Sequence, residues 1–221
     1  MRSLSEFLAA NGTLVLWCCI KEVVLVFVTF GFALLLGLPL GLLCYRNERF
    51  KRPLLCLIEL LQTLPALALF GIFVAVGRQG LGTTLLLALI YTILPVIFGT
   101  DQGLHSIDRA TIDAALGMGM TRGEVFCNVL LPLASCDIMP ALRKAAITAV
   151  GMITMATLSG GGLGILIMEG IRTHSVGMIL AGALPACLLA LVVDLIMSAL
   201  QKAIVPEALR RAPKEELFIS K

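Results

Sequence analysis

The chain of 221 residues is 59% hydrophobic and only 14% charged, with a mean hydropathy of +1.01. Soluble domains average about 45–50% apolar and about 25% charged residues, so one small aqueous domain is excluded and lipid must solvate much of the surface. The net charge of +3 comes without a basic stripe interleaved with aromatics, which argues against a nucleic-acid partner.

The chain opens "MRSLSEFLAANGTLVLWCCIKE", weakly charged and with seven apolar residues before Lys21 and Glu22. That is a poor cleaved signal. Residues 1–22 are expected to form an external, amphipathic lead-in at the membrane surface. A first span starting near Leu14 is the alternative, and insertion of residues 8–20 would add a sixth span.

Five apolar segments follow, at about Val23–Leu43, Leu54–Val76, Leu81–Gly99, Ile138–Leu158 and Gly177–Leu200. About 20 helical residues cover about 30 Å, the thickness of the hydrocarbon core. The expected fold is all-α, a polytopic transmembrane bundle of about five spans. One membrane domain over 23–205 is followed by a tail at 206–221. Pro39, Pro65, Pro95 and Pro185 lie within the spans and Pro140 opens the fourth, as kinks or as plain packing features. Small residues spaced by four (Ala145 and Ala149, Ala156 and Gly160, Gly182 and Ala186) let helix backbones approach.

Lys and Arg set the expected orientation. Arg46, Arg49, Lys51, Arg52, then Arg109, Arg122, Arg143, Lys144, then Lys202, Arg210, Arg211, Lys214 and Lys221 fall on one side. Only Arg2, Lys21, Arg78 and Arg172 fall on the other. The middle interval and the C-terminus are expected inside, the N-terminus outside. Seven cysteines without a CxxC read as small hydrophobic fillers.

Between the third and fourth segments lies "DAALGMGMTRGEVFCNVLLPLA", residues 113 to 134. Ser106 and Asp108 are capping residues for a short helix, and Gly117 and Gly119 break it. Thr121 and Glu124 stand at capping-box spacing for a second, and Pro132 marks the entry to the next span. The pattern gives a helix, a glycine turn and a helix over about 106–130. By itself it suits either a loop packed on the bundle or a knob shaped for a partner's groove.

The same stretch resembles the EAA motif of ABC-importer permeases, which runs E-A-A, three residues, G, nine residues, I, one residue, L-P. Asp113, Ala114 and Ala115 stand for E-A-A, Gly119 for the glycine, Val129 for the isoleucine, and Leu131 and Pro132 complete it. The departures are Asp113 and Val129, both conservative. "LLQTLPALALFGI", "LSGGGLGILIMEGI" and "MILAGALPACLLALVVDLIM" extend the likeness over roughly 15 to 205, toward permeases of glycine betaine, carnitine and choline importers. The resemblance implies the type I (MetI-like) permease fold and coupling helices that dock on ATPase subunits. It also implies a second permease, identical or related, an extracytoplasmic substrate-binding protein and a bacterial plasma-membrane location. ATP would be bound by those partners and no cofactor by this chain. A methionine or other amino-acid importer permease is the nearest alternative; an ATPase-independent carrier or a membrane scaffold leaves the motif spacing unexplained.

Other signals carry less. "LSGGG" at 158–162 looks like an ATPase signature, but no GxxxxGK[ST] accompanies it, so it reads as a turn; "GRQGLG" at 77–82 is a short link. His105 and His174 are isolated, and neither HExxH nor GxSxG occurs, so no catalytic or metal-binding residue is assigned. Glu59, Arg143, Lys144 and Asp194 are intramembrane ionisable groups expected to snorkel or pair. Gln62, Thr63, Thr148, Met152 and Met155 are expected along the translocation path, with packing the stronger reading for the two methionines. One Trp and two Tyr, far apart in sequence, make no obvious aromatic cage for a quaternary ammonium, which places solute selection in the binding protein.

Overall fold

A computed structural model describes residues 4–76, 80–156 and 162–205, all in helices and short connections, with no strand among them. In chain order these are α1 (Leu4–Arg46), α2 (Glu48–Thr63), α3 (Ala66–Ala75), α4 (Leu81–His105), α5 (Arg109–Gly117) and α6 (Arg122–Val125). A π-helical turn (Phe126–Leu130), α7 (Leu131–Ala156), α8 (Leu163–Arg172) and α9 (Val176–Ile204) complete the bundle. The "LSGGG" turn up to residue 161, part of the 77–82 link, the C-terminal tail and Gly160 lie outside the described residues.

Four helices are long and apolar enough to cross a membrane: Asn11–Arg46, Leu81–His105, Arg122–Met155 and Val176–Ile204. Close approaches fix how they run. Gly37 abuts Val96 and Gly41 abuts Thr100, so α1 and α4 are parallel. Gly99 faces Ala141 and Gly103 faces the Ala134 carbonyl, so α4 and α7 are antiparallel. Side chains at these glycines would collide with the neighbouring helix, and small residues are how membrane helices gain packing contact. Ala145 and Ala149 are fully buried in the same cores.

The parallel run of α1 and α4 needs a return between them, which α2 and α3 supply. The single span expected over Leu54–Val76 is broken there. Leu64 is extended (φ −70°, ψ 132°) because Pro65 disfavours helical backbone at the residue before it.

A second difference concerns residues 1–22. The helix break falls at Asn11 (φ −128°, ψ 23°), and the long helix then runs without interruption through Lys21 and Glu22. No boundary lies at residue 22, because Glu22 turns inward instead of meeting water. It is fully buried, its carboxylate accepting from the Thr154 hydroxyl (2.6 Å) and the Leu163 backbone N–H (3.1 Å). Both carboxyl oxygens are thereby hydrogen-bonded, as a buried polar group requires. The contact ties α1 to α7 and to the start of α8. Val15, Cys18 and Cys19 pack onto α8 and α9 beside it. Helices α8 and α9 form a hairpin closed by His174 (φ 51°), with Gly170 against Ile179 and Gly182 against Leu163 and Ile167. All seven cysteines are free thiols.

Candidate functional site: the α5–α6 elbow and the α4–α7 cavity

The polar interval folds as an elbow at the end of the bundle where α1 and α4 finish. Asp108 caps α5, its side chain accepting from the Ala110 N–H (3.2 Å). Gly119, at φ +89°, reverses the chain in a left-handed conformation that an L side chain adopts only with strain. Thr121 and Glu124 make the reciprocal capping box: Glu124 Oε2 accepts from the Thr121 N–H (2.7 Å), and the Glu124 N–H donates to Thr121 Oγ1 (3.4 Å). Ser106 instead ends α4, its hydroxyl donating to Asp137 Oδ2 (2.9 Å).

The elbow has two faces. Ala115 and Val125 are buried and, with Ile112, Met120, Phe126 and Val129, pack on Leu104, Ala134, Ile138, Leu42 and Tyr45. Asp113, Ala114, Leu116, Gly117, Met118 and Gly119 are exposed, Met118 at 74%. A Cβ at Gly119 would meet nothing within 4 Å, so that position is open on its outer side. Of the remaining motif residues, Val129 lies in the π-helical turn and Leu131 and Pro132 open α7, both exposed. Wide turns of this kind inside helices recur at functional sites. This one joins the elbow directly to α7.

Beside the elbow a carboxylate is buried without having been foreseen. Asp101 on α4 is 3% exposed and pairs with Lys51 of α2 (2.7 Å), while its other carboxylate oxygen lies 3.3 Å from the His105 ring nitrogen. His105 in turn meets Tyr45 edge-on (4.9 Å between centroids). The cluster fixes the ends of α1, α2 and α4 to one another above α5. An ionisable residue at the end of an apolar run was the available signal.

A cavity of about 500 Å³ lies between α2, α4 and α7. Tyr91, Phe98 and Gln102 of α4 face Asp137, Lys144 and Thr148 of α7 across it, and Gln62 closes one side. Gly99 and Ala141 form the floor, where α4 and α7 approach so closely that a side chain at Gly99 would collide with the Ala141 methyl. Gln62 Nε2 donates to the Tyr91 carbonyl (3.1 Å) and the Tyr91 hydroxyl donates to the Leu64 carbonyl (2.6 Å), so the α2–α3 break is pinned to α4. Met152 and Met155 line a small adjoining hollow with Tyr91 and Phe70. Gln62, Thr148 and both methionines therefore stand along one face. Thr63 does not: its hydroxyl donates back to the Leu60 carbonyl (2.7 Å) and it lines neither space.

The four ionisable groups separate. Arg143 donates two bonds to Asp194, from Nε (2.5 Å) and Nη2 (2.7 Å), joining α7 to α9. Lys144 and Glu59 make no ion pair among the described residues. Adjacent residues on a helix point about 100° apart, so Lys144 enters the cavity while Arg143 faces α9. No group of three His, Cys, Asp or Glu able to hold a metal occurs among the described residues.

Comparison with known proteins gives this arrangement a family. Residues 33–210 match the family described as binding-protein-dependent transport system inner membrane component. The chain is 35% identical over 208 residues to the glycine betaine/carnitine/choline transport system permease protein OpuCD of Bacillus subtilis, covering 93% of this chain and 91% of that one. It is 36% identical to the choline transport system permease protein OpuBD of the same organism, over 81% of this chain and 80% of the relative. To the osmoprotectant import permease protein OsmW of Salmonella typhimurium it is 34% identical, over 84% and 89%. Among solved structures, an inward-facing form of the MetNI methionine ABC transporter superposes with a TM-score of 0.76 at 21% identity, covering 89% of this chain and 99% of that one. The chain therefore belongs to the family of binding-protein-dependent transport system inner membrane components and is the membrane permease of an ABC importer, a transporter that works with ATPase subunits.

Proposed function

We propose that this permease carries betaine-type osmoprotectants across a bacterial plasma membrane. The observation that supports this most is the set of relatives at 31–36% identity over most of the chain, whose names specify glycine betaine, carnitine, choline or osmoprotectant transport. The elbow faces the cytoplasm, the N-terminus lies outside and the C-terminus inside, as the Lys and Arg distribution implies. The partners are two ATPase subunits, an extracytoplasmic binding protein and a second permease, either another copy or a close relative. A cavity open on one face of a single chain needs that second permease to enclose a path.

The exposed elbow residues from Asp113 to Gly119 sit in the ATPase grooves, which move them when ATP closes the ATPase pair. The motion reaches α7 through the π-helical turn and opens the α4–α7 face alternately to either side. ATP is bound by the partners, and this chain supplies no catalytic group and no cofactor.

Uptake of labelled glycine betaine, carnitine, choline and methionine by a strain lacking this chain, with and without the wild-type gene restored, tests the reading. Restoration of the first three is expected. Methionine uptake alone would move the assignment to an amino-acid importer.

A further inference from the structure

We propose that the open side of the α4–α7 cavity is the interface between two copies of this chain, with Glu59 of each copy paired to Lys144 of the partner subunit. This interface rests on the reading of paired permeases and goes further, naming a second copy instead of a relative and the side chains that join the two.

Glu59 and Lys144 are exposed, of opposite sign and without an ion pair among the described residues. Neighbouring cations and carboxylates are already engaged: Arg143 is held by Asp194, and Lys51 by Asp101. Both residues stand on the cavity side. Lys144 lines the cavity, and Glu59 precedes the lining residue Gln62 by three positions, which puts those two on one face of α2.

They also share a height. Lys51 pairs with Asp101 and Gln62 bonds to the Tyr91 carbonyl, so α2 runs antiparallel to α4 and Glu59 falls level with Leu94. On the other wall Gly99 meets Ala141 and Val96 packs with Ala145, so Lys144 falls level with Val96. The offset is about 3 Å, two residues of helical rise.

Depth makes the pairing matter. Helix α4 ends at His105, and both charges lie about 15 Å inside that end. Ionisable side chains inside a membrane pair with one another or face the bundle interior. A two-fold axis beside the cavity supplies both, because an isologous interface brings residue i to j and j to i. One axis therefore pairs every one of these charges and joins the two cavities into one enclosed space.

The test uses cells lacking this chain that express the rest of the importer. It reads glycine betaine uptake and the thermal unfolding midpoint of the purified complex. Glu59→Lys or Lys144→Glu, expressed alone, places like charges at both contacts and should lower uptake about tenfold. Co-expressed as separate chains and isolated through two different tags, the two variants should recover uptake and midpoint, because a mixed pair has opposite charges at both contacts. The double variant in one chain should also recover both, which shows that the substituted side chains fold. Recovery by the double variant without recovery by the mixture would place the pair within one chain and overturn the interface. Single variants that transport like wild type, a loss that neither combination repairs, or wild-type copies with two tags that never purify in one complex would overturn it as well. A wild-type importer that carries no betaine-type solute would overturn the substrate reading alone; midpoints lowered in both single variants and restored in the mixture would still uphold the interface.

Discussion

The elbow and the cavity are built in opposite ways. The elbow is convex and made from one continuous stretch, with its polar backbone satisfied by its own caps at Asp108 and at Thr121–Glu124. The cavity is concave and made from three helices, its lining spread from Gln62 to Thr148. A docking knob needs local rigidity, which adjacent residues supply. A path needs opposed walls that separate, and those come from residues far apart in sequence. The two meet at the π-helical turn and at Ser106–Asp137, where the end of α4 touches the start of α7.

The largest effect expected at the elbow is that of Gly119→Arg, which should abolish uptake. It places a long cation on the docking face and forces a left-handed backbone, at about 1–2 kcal/mol of strain. Uptake and ATPase co-purification measured together separate failed docking from failed folding, and full uptake by this variant would remove the elbow's role.

At the far end of the bundle, Glu22→Ala should cost about 2–3 kcal/mol. It strips the Thr154 hydroxyl and the Leu163 N–H of their acceptor. Glu22→Gln should recover part of that loss in thermal unfolding of the purified protein. In the cavity floor, Gly99→Ala should cost about 1–3 kcal/mol by overpacking against Ala141 and should slow uptake. Removing the cap with Thr121→Ala should cost about 1 kcal/mol locally, visible as faster amide exchange in α6. The smallest effect is at Arg143–Asp194, a pair about one-third exposed on both sides. A double-mutant cycle there should give weak coupling, as partly exposed ion pairs do.

The same contrast explains what could be read in advance. The elbow was legible because its capping residues, glycine turn and motif are contiguous from Ser106 to Pro132. Only Ser106 took another role, bonding to Asp137 instead of capping α5. The break of the second segment was hidden because apolar residues run on both sides of it, although Pro65 carried the signal. Glu22 was placed in a surface lead-in because burial of its carboxylate depends on Thr154 and on the start of α8, both more than 130 residues away. Asp137, Phe98 and Gln102 were missed in the cavity because each lies in an ordinary helical stretch and acquires a shared face only when α4 packs on α7. Lys144 was grouped with Arg143 by proximity in sequence, yet helical geometry sends the two in different directions.

The most direct test of the coupling role is photo-crosslinking from the elbow in the assembled importer. A photoreactive amino acid replaces Met118, the most exposed apolar residue of the elbow at 74%, and a control carries it at Leu188, 67% exposed on α9. Crosslinking to the ATPase subunit from position 118, altered by ATP, and none from position 188 is the predicted result. No ATPase adduct from position 118, in an importer that still transports, would contradict the elbow as the coupling element.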